Sequence, residues 1–416
     1  MALLVQKYGG TSVGSIERIE AVANRIIHTV QQGHKVVVVV SAMAGETNRL
    51  IELAEQVSPC PISRELDVLV TSGEQVSASL LAMTCISKGY SAISMLADQV
   101  GIRTNNHFGK ARIESIDASG VLEHLEHGRI VIAAGFQGRD TENNVTSLGR
   151  GGTDTTAVAL AAAINADECQ IYTDVDGVYT TDPRIEPRAK KLKSILFDEM
   201  IEMASLGAKV LQKRSVELAG KYRVKLRVLS SFEPLTLGFD LGGTLITYEE
   251  SDLEDLLVSG IACTRDEALI TISGMDLGAV LPADVLHAIA EENVEVDMIV
   301  QAINHDKTSD TIDFAFTIQE QELDLCMKTI RNLLQEKQNI SIDNVQGCRS
   351  VAKISVVGVG MRSHAGVASK VLQTLKAEHV PVELISTSEI KISVLIEQKY
   401  MELAVRALHQ AFELSA

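Results

Sequence analysis

Five short segments carry the residue types that handle phosphates and small acids. Lys7-Tyr8-Gly9-Gly10-Thr11-Ser12 joins a cation to adjacent glycines. Glycines let backbone N–H groups close on a phosphate with no Cβ in the way, and the lysine adds a point charge. A tight turn would use the same glycines, and the spacing is not that of a Walker A loop. Ser41-Ala42-Met43-Ala44-Gly45-Glu46-Thr47-Asn48 offers small and hydroxylated side chains to a small anion, or else a strand-to-helix turn with Thr47 as N-cap. In Thr71-Ser72-Gly73-Glu74 the acid opens an otherwise apolar helix, which by itself is explained by the helix dipole favouring an acid in the first turn. In Leu148-Gly149-Arg150-Gly151-Gly152-Thr153-Asp154-Thr155-Thr156 the arginine presents a planar fork to a carboxylate or phosphate. Its glycines leave room for a ligand, and Thr153 and Asp154 are placed to cap the next helix. The longest segment is Tyr172-Thr173-Asp174-Val175-Asp176-Gly177-Val178-Tyr179-Thr180-Thr181-Asp182-Pro183-Arg184. It mixes a strand end, a turn and a Pro-Arg, with Tyr172 and Tyr179 available to stack on a base. Lys209 follows, within Gly207-Ala208-Lys209-Val210-Leu211.

Elements of a β-α-β rhythm must position these segments. Leu3 to Gln6, the valine run Val36 to Val40, Arg129 to Ala134, Glu168 to Thr173 and Val224 to Leu229 read as strands. Ile19, Val22, Ala23, Ile26, Ile27 and Val30 recur at helical spacing, with Gly33 as the stop. Thr153 to Asn165 reads as a buried alanine-rich helix and Asp198 to Ala219 as one long helix. The pattern predicts an α/β fold: an open, mostly parallel sheet with helices on both faces, binding ligands at the strands' carboxyl ends. Pro234, Gly238, Gly242 and Gly243 break it. The expected division is therefore a catalytic domain over 1–233, a linker over 234–260, and two small α+β modules over 261–347 and 348–416. Each module reads as a ferredoxin-like βαββα(β) unit. The second lacks its last strand, which it must borrow or leave as an open edge.

Composition excludes several classes. The chain has 416 residues, 38 Lys+Arg against 55 Asp+Glu, and a net charge of −17. That balance argues against nucleic-acid and anionic-membrane partners, which need a basic face. No apolar run approaches the roughly 20 residues that cross a bilayer, and the N-terminus does not read as a signal peptide. The six cysteines are scattered, as reduced thiols of a cytoplasmic protein would be. His124 and His127 lie one helical turn apart with no third ligand nearby, so no protein-held metal is expected.

In this order and at strand ends, the five motifs resemble those of the aspartate kinases of the amino-acid-kinase family, and the two C-terminal modules resemble tandem ACT domains. The resemblance spans nearly the whole chain. It implies an ATP-dependent phosphotransferase with a carboxylate acceptor, which uses MgATP to convert L-aspartate to 4-phospho-L-aspartate. That reaction opens the synthesis of lysine, diaminopimelate, methionine and threonine. The attacking carboxylate is already ionised at neutral pH, so no general base is required, and phosphoryl transfer needs mainly positioning and charge neutralisation. The resemblance assigns catalysis to Lys7 and Asp154. It assigns ATP to Lys7, Gly9, Gly10, Ser12, Ser41, Thr173, Asp174, Tyr179, Asp182, Arg184, Lys209 and Val210. Aspartate falls to Ser41, Thr47, Glu74, Arg150, Gly151, Gly152, Thr153 and Asp154, with Glu74 on the α-ammonium and Arg150 on a carboxylate. Magnesium would arrive with ATP, bound through phosphates and waters. Other kinases of the fold, acting on acetylglutamate, glutamate or UMP, and a catalytically inactive amino-acid sensor are the alternatives.

For the ACT modules the resemblance implies amino-acid sites at Asp276, Gly278, Asp297 and Gln301, and at Gly360, Met361, Thr387 and Ser388, with lysine or threonine as effectors. Homo-oligomers paired through these modules are expected. Three positions depart from the family pattern. Asp276-Leu277-Gly278-Ala279 stands for the usual aspartate-x-proline-glycine, Glu295 for an asparagine, and His379-Val380-Pro381 for Asn-Val-Asn. Replacing amides by Glu, His and Pro changes charge and removes a backbone donor, so feedback is expected to be weakened or retargeted.

Overall fold

The valine run decides the centre of the first part of the chain. Val36 to Val40 are all buried, as in a parallel strand covered on both faces. The computed structural model describes residues 1–205, 210–233, 242–248, 257–276, 282–305, 310–337, 344–361, 364 and 366–415. They form two compact units: one holds most of residues 1–253, and the other holds Thr180–Lys190 and the chain from residue 257 onward.

The main sheet of the first unit has eight strands. Their order is Ser194–Leu196, Thr244–Thr247, Leu226–Ser230, Glu168–Thr173, Leu3–Tyr8, Lys35–Val40, Ile130–Ala134 and Ala92–Met95. Every pairing is parallel except that between Leu226–Ser230 and Thr244–Thr247. Register sets the polar interior. Gln6 lies opposite Gln170 and Tyr8 opposite Tyr172, so the glutamines hydrogen-bond at 3.0 Å and the two tyrosine rings stack at 4.7 Å. The helix Gly152–Ala163 is buried from Gly152 to Ala161, where small side chains allow close approach to the sheet. A smaller sheet, in the order Ile113–Ile116, Ile102–Thr104, Gln137–Arg139 and Val145–Ser147, stands beside it.

Several expectations need correction. Thr244–Thr247, placed in the linker, is a sheet strand, reached through Gly243 at φ +69°, where a Cβ would lie 2.1 Å from the Val228 carbonyl oxygen. The long helix over 198–219 is two helices, Phe197–Ser205 and Lys213–Tyr222. The second starts from Gln212 in extended conformation. Helix starts also differ: Gly45 (φ +81°) and Gly151 (φ +68°) stand at the N-caps in left-handed conformation. Thr47, Thr153 and Asp154 therefore lie inside first turns.

In the second unit, six strands form one sheet in the order Val296–His305, Asp310–Gln319, Gly260–Asp276, Val345–Val357, Lys391–Glu397 and Val382–Thr387. The two inner strands are long and serve both modules. Glu267–Asp276 pairs with Asp310–Gln319. Gly260–Thr264 pairs instead with Lys353–Val357. Cores follow the same division. Val258 and Ile261 pack with the residues of 352–414, whereas Ala268, Ile270 and Ile272 pack with those of 285–345. The missing last strand of the second module is thus borrowed, from Gly260–Thr264 at the start of the first module, in the same long strand as Glu267–Asp276.

Candidate active site

Four strands of the first unit end at one place and set the loops there. Lys7, near the end of its strand, forms an ion pair with Asp154 on the first turn of the buried helix, Nζ to Oδ1 2.6 Å, both side chains about nine-tenths buried. The Gly9 N–H donates to the Tyr172 carbonyl (3.3 Å) and the Ala44 N–H to the Gly10 carbonyl (3.2 Å). A Cβ on Gly10 would come within 2.9 Å of the Ala42 carbonyl oxygen, so that residue must be glycine for the two loops to meet. Ser41 donates its N–H to the Tyr8 carbonyl (3.1 Å), and Gly135 donates to Val40 (3.1 Å).

Glu74 enters this cluster from the helix Ser72–Ser87, 3% exposed. Its Oε1 accepts the Ala42 N–H at 3.1 Å. Its Oε2 is buried with no hydrogen-bond partner. Burial pushes the Glu74 carboxyl up to about 7, although the Ala42 N–H pulls the other way. A buried carboxylate oxygen left without a donor is costly, and a ligand cation would remove the cost.

The structure thus brings Lys7, Gly9, Gly10, Ser41, Glu74 and Asp154 together, with Thr153 reaching the Gly135 backbone, where a Cβ would sit 2.6 Å from its Cγ2. Ser12 is buried and hydrogen-bonds Ser231 (2.8 Å). Arg150 is exposed and Thr47 half-buried. Tyr172, expected to be free for a base, is 3% exposed against Tyr8, so its ring is not available. Thr173 Oγ1 donates to Asp174 (3.0 Å), and the Tyr179 hydroxyl donates to Asp176 (2.9 Å). Val210 is half-buried, and Lys209 lies outside the described residues. Asp182 and Arg184 pair with each other at 2.6 Å and belong to the second unit.

Some positioning residues escaped the sequence reading. Asp67 is 1% exposed and accepts from Gly109 N–H (2.9 Å) and from Ser147 N–H and Oγ (2.7 Å each), fixing the strand that leads to Gly149. Arg214 donates to the Leu148 and Ala111 carbonyls (2.9 and 3.0 Å). Phe136 holds φ +68° between the strands Ile130–Ala134 and Gln137–Arg139, and a Cβ on Gly152 would meet its ring at 2.8 Å. The glycines of Gly135-Phe136-Gln137-Gly138 were the available signal; Asp67 and Arg214 had none, because their partners are groups far away in the chain.

In the second unit, Asp297 pairs with the buried Lys353 Nζ, which also binds Glu267 Oε1 at 2.7 Å. Gln301 is exposed on an outer strand. Gly360 (φ +69°) and the buried Met361 lie beside Thr387 and Ser388, tied by Met361 N–H to Glu389 O (2.9 Å) and Gly358 N–H to Ile390 O (3.0 Å). Asp276 ends its strand, and Gly278 is outside the described residues.

Residues 2–230 match the amino acid kinase family and residues 354–412 the ACT domain. The aspartate kinase of Pseudomonas putida is 54% identical over 417 residues, covering 100% of this chain and 98% of that protein. Escherichia coli aspartokinase III, solved with aspartate and ADP in the R-state, superposes with a TM-score of 0.79 at 26% identity, covering 98% of this chain and 99% of that one. The same enzyme with lysine and aspartate in the T-state gives a TM-score of 0.74 at 26% identity and 99% coverage of both chains. On the family match over more than half of its length and these full-length similarities, the chain belongs to the amino acid kinase family, among its aspartate kinases.

Proposed function

We propose that the protein phosphorylates L-aspartate: a β-carboxylate oxygen attacks the γ-phosphorus of ATP, the bond to the β-phosphate oxygen breaks, and 4-phospho-L-aspartate and ADP leave. The observation that carries the substrate is Glu74, whose buried Oε2 lacks a donor and suits an α-ammonium group. Lys7, held in place by Asp154, neutralises charge on the transferring phosphoryl group, while Gly9, Gly10 and Ser41 line the phosphates; the Gly9 and Ser41 N–H groups are spent on the Tyr172 and Tyr8 carbonyls and hold the loops in place. Arg150 takes a substrate carboxylate as a bidentate pair, with Thr47, Gly151, Gly152 and Thr153 completing the pocket. Ser12, Thr173, Asp174, Tyr179, Asp182, Arg184, Lys209 and Val210 are assigned to the nucleotide.

Magnesium fits as a companion of ATP. Asp154, the carboxylate that pairs with Lys7, is already engaged, a donor set that suits an ion held mostly by phosphates and waters. When bound, magnesium supplies charge neutralisation at the phosphates. The ACT modules bind amino-acid effectors at the loop of Gly360, Met361, Thr387 and Ser388 and, in the first module, near Asp276, Gly278, Asp297 and Gln301. Lysine is the leading candidate, because it is bound by E. coli aspartokinase III; threonine is the second. Feedback is weakened or retargeted by Glu295, His379 and Pro381. The modules also pair chains into homo-oligomers. No helix among the described residues is long and apolar enough to cross a membrane, and we place the enzyme in the cytoplasm.

The test is ADP release from MgATP with L-aspartate, acetylglutamate, glutamate or UMP, each with and without lysine, threonine or both. Turnover restricted to aspartate is expected. Turnover on another acceptor alone would overturn the Glu74 assignment, and unchanged concerted inhibition by lysine plus threonine at low millimolar effector would overturn the weakened feedback.

A further inference from the structure

The segment Thr180–Lys190 continues the nucleotide motif, yet it folds as part of the second unit. Its anchor is one hydroxyl. Thr180 Oγ1, on a residue 3% exposed, accepts the Lys190 N–H (3.0 Å), donates to the Leu414 carbonyl (3.3 Å), and lies 2.9 Å from His409 Nε2. A hydroxyl has a single proton. With that proton on Leu414, His409 must donate through Nε2, which leaves Nδ1 as a bare acceptor. His409 Nδ1 indeed has no partner, in a residue that is 0% exposed. A second ring proton would be an orphaned buried donor, so the neutral ring is favoured.

Backbone contacts complete the attachment. The Ile261 N–H donates to Thr180 O (2.6 Å), Ala189 bridges Ser415, and Ile185 packs on the core of the second module. Glu186 is 3% exposed and binds Arg188 at 3.0 Å. Burial lowers the His409 pKa; Glu186 opposes the shift and Arg188 reinforces it.

We infer that His409, on the last helix of the second ACT module, is a positioning residue for nucleotide binding, because its Nε2–H fixes Thr180 and thereby the turn that carries Asp182 and Arg184. This rests on the reading of Asp182 and Arg184 as nucleotide contacts. Thr180 sits at the foot of that turn, whose Ile185 and Glu186 N–H groups close on the Asp182 carbonyl at 2.9 and 3.1 Å. The catalytic strand ends of the first unit contain neither residue. The inference therefore expects nucleotide affinity to change while aspartate affinity does not.

The experiment uses the full chain with His409→Phe, which keeps a ring but no donor, His409→Gln, whose amide nitrogen reaches the Nε2 position, and Thr180→Val. Hydrogen exchange of the peptide spanning 178–192 and ADP affinity by titration are read together, with Asp182→Asn as a control on the nucleotide reading. Expected for His409→Phe and Thr180→Val are exchange about tenfold faster and ADP affinity about tenfold weaker, with aspartate KM unchanged and both readouts restored in His409→Gln. Unchanged exchange overturns the inference. Faster exchange with unchanged ADP affinity also overturns it when Asp182→Asn does weaken ADP. If Asp182→Asn leaves ADP affinity unchanged as well, the nucleotide reading itself falls and takes the inference with it.

Discussion

Replacing Glu74 by glutamine should stabilise the fold and cripple the enzyme. Glu74 titrates at about 7 when folded and near 4.5 when exposed. The folded chain therefore keeps a proton that the unfolded chain releases, and stability falls as pH rises from about 4.5 to about 7. Above that window the full cost stands, about 3 kcal/mol at 1.36 kcal/mol per pKa unit. Glutamine has no charge to bury, and its amide oxygen keeps the Ala42 N–H bond. Without aspartate, Glu74→Gln should therefore unfold about 5–10 °C higher at pH 8, with the gain shrinking to about 1 kcal/mol or less at pH 5. Losing a charged partner for an ammonium should raise aspartate KM about 100-fold. Thermal unfolding at both pH values and initial rates against aspartate would check this. A stability difference that does not change with pH, or an unchanged aspartate KM, would refute the reasoning.

In wild type, kcat/KM for aspartate should rise with pH through about 7, as the ionised Glu74 becomes the resting form; a flat profile between pH 6 and 8 would count against its role. Lys7→Met should lower kcat by two to three orders of magnitude and destabilise the fold by about 3 kcal/mol, because Asp154 is left buried and alone. Adding Asp154→Asn should recover stability but not turnover, and recovery of both would disprove the assignment. Gly10→Ala should cost about 1–3 kcal/mol and raise ATP KM, because the new methyl meets the Ala42 carbonyl; unaltered kinetics would mean the loops part freely. Ile261→Asp should loosen the second ACT module, seen as faster hydrogen exchange over 352–408 with 285–334 protected as before. Loosening of the first module instead would contradict the borrowed strand.

Periodicity exposed what depended on local pattern. Val36 to Val40, the face from Ile19 to Val30 and the small-residue helix after Gly152 are each recognisable because burial is written into consecutive residues. Lys7 and Glu74 were legible only through the order of the five motifs, because a tight turn accounts for the first and the dipole of the helix Ser72–Ser87 for the second when each is taken alone. What stayed hidden depends on partners far away in the chain. Tyr172 looks like a free ring until the parallel register puts Tyr8 under it. The strand Thr244–Thr247 is masked by glycines that the sequence uses equally for loops. His409 gives no signal at all, because its meaning comes from Thr180, more than half the chain earlier.

The loan of Gly260–Thr264 has a consequence for how such a chain can change over generations. Two modules laid end to end could be duplicated, dropped or exchanged by a cut between them. Here a cut at the apparent junction, near residue 348, would sever the strand Val345–Val357 that both halves share. It would also leave the second half without the sheet edge that Gly260 supplies to Val357. The pair is therefore inherited as one indivisible part, and recombination within the region is tolerable only where it carries the lending strand along with its borrower.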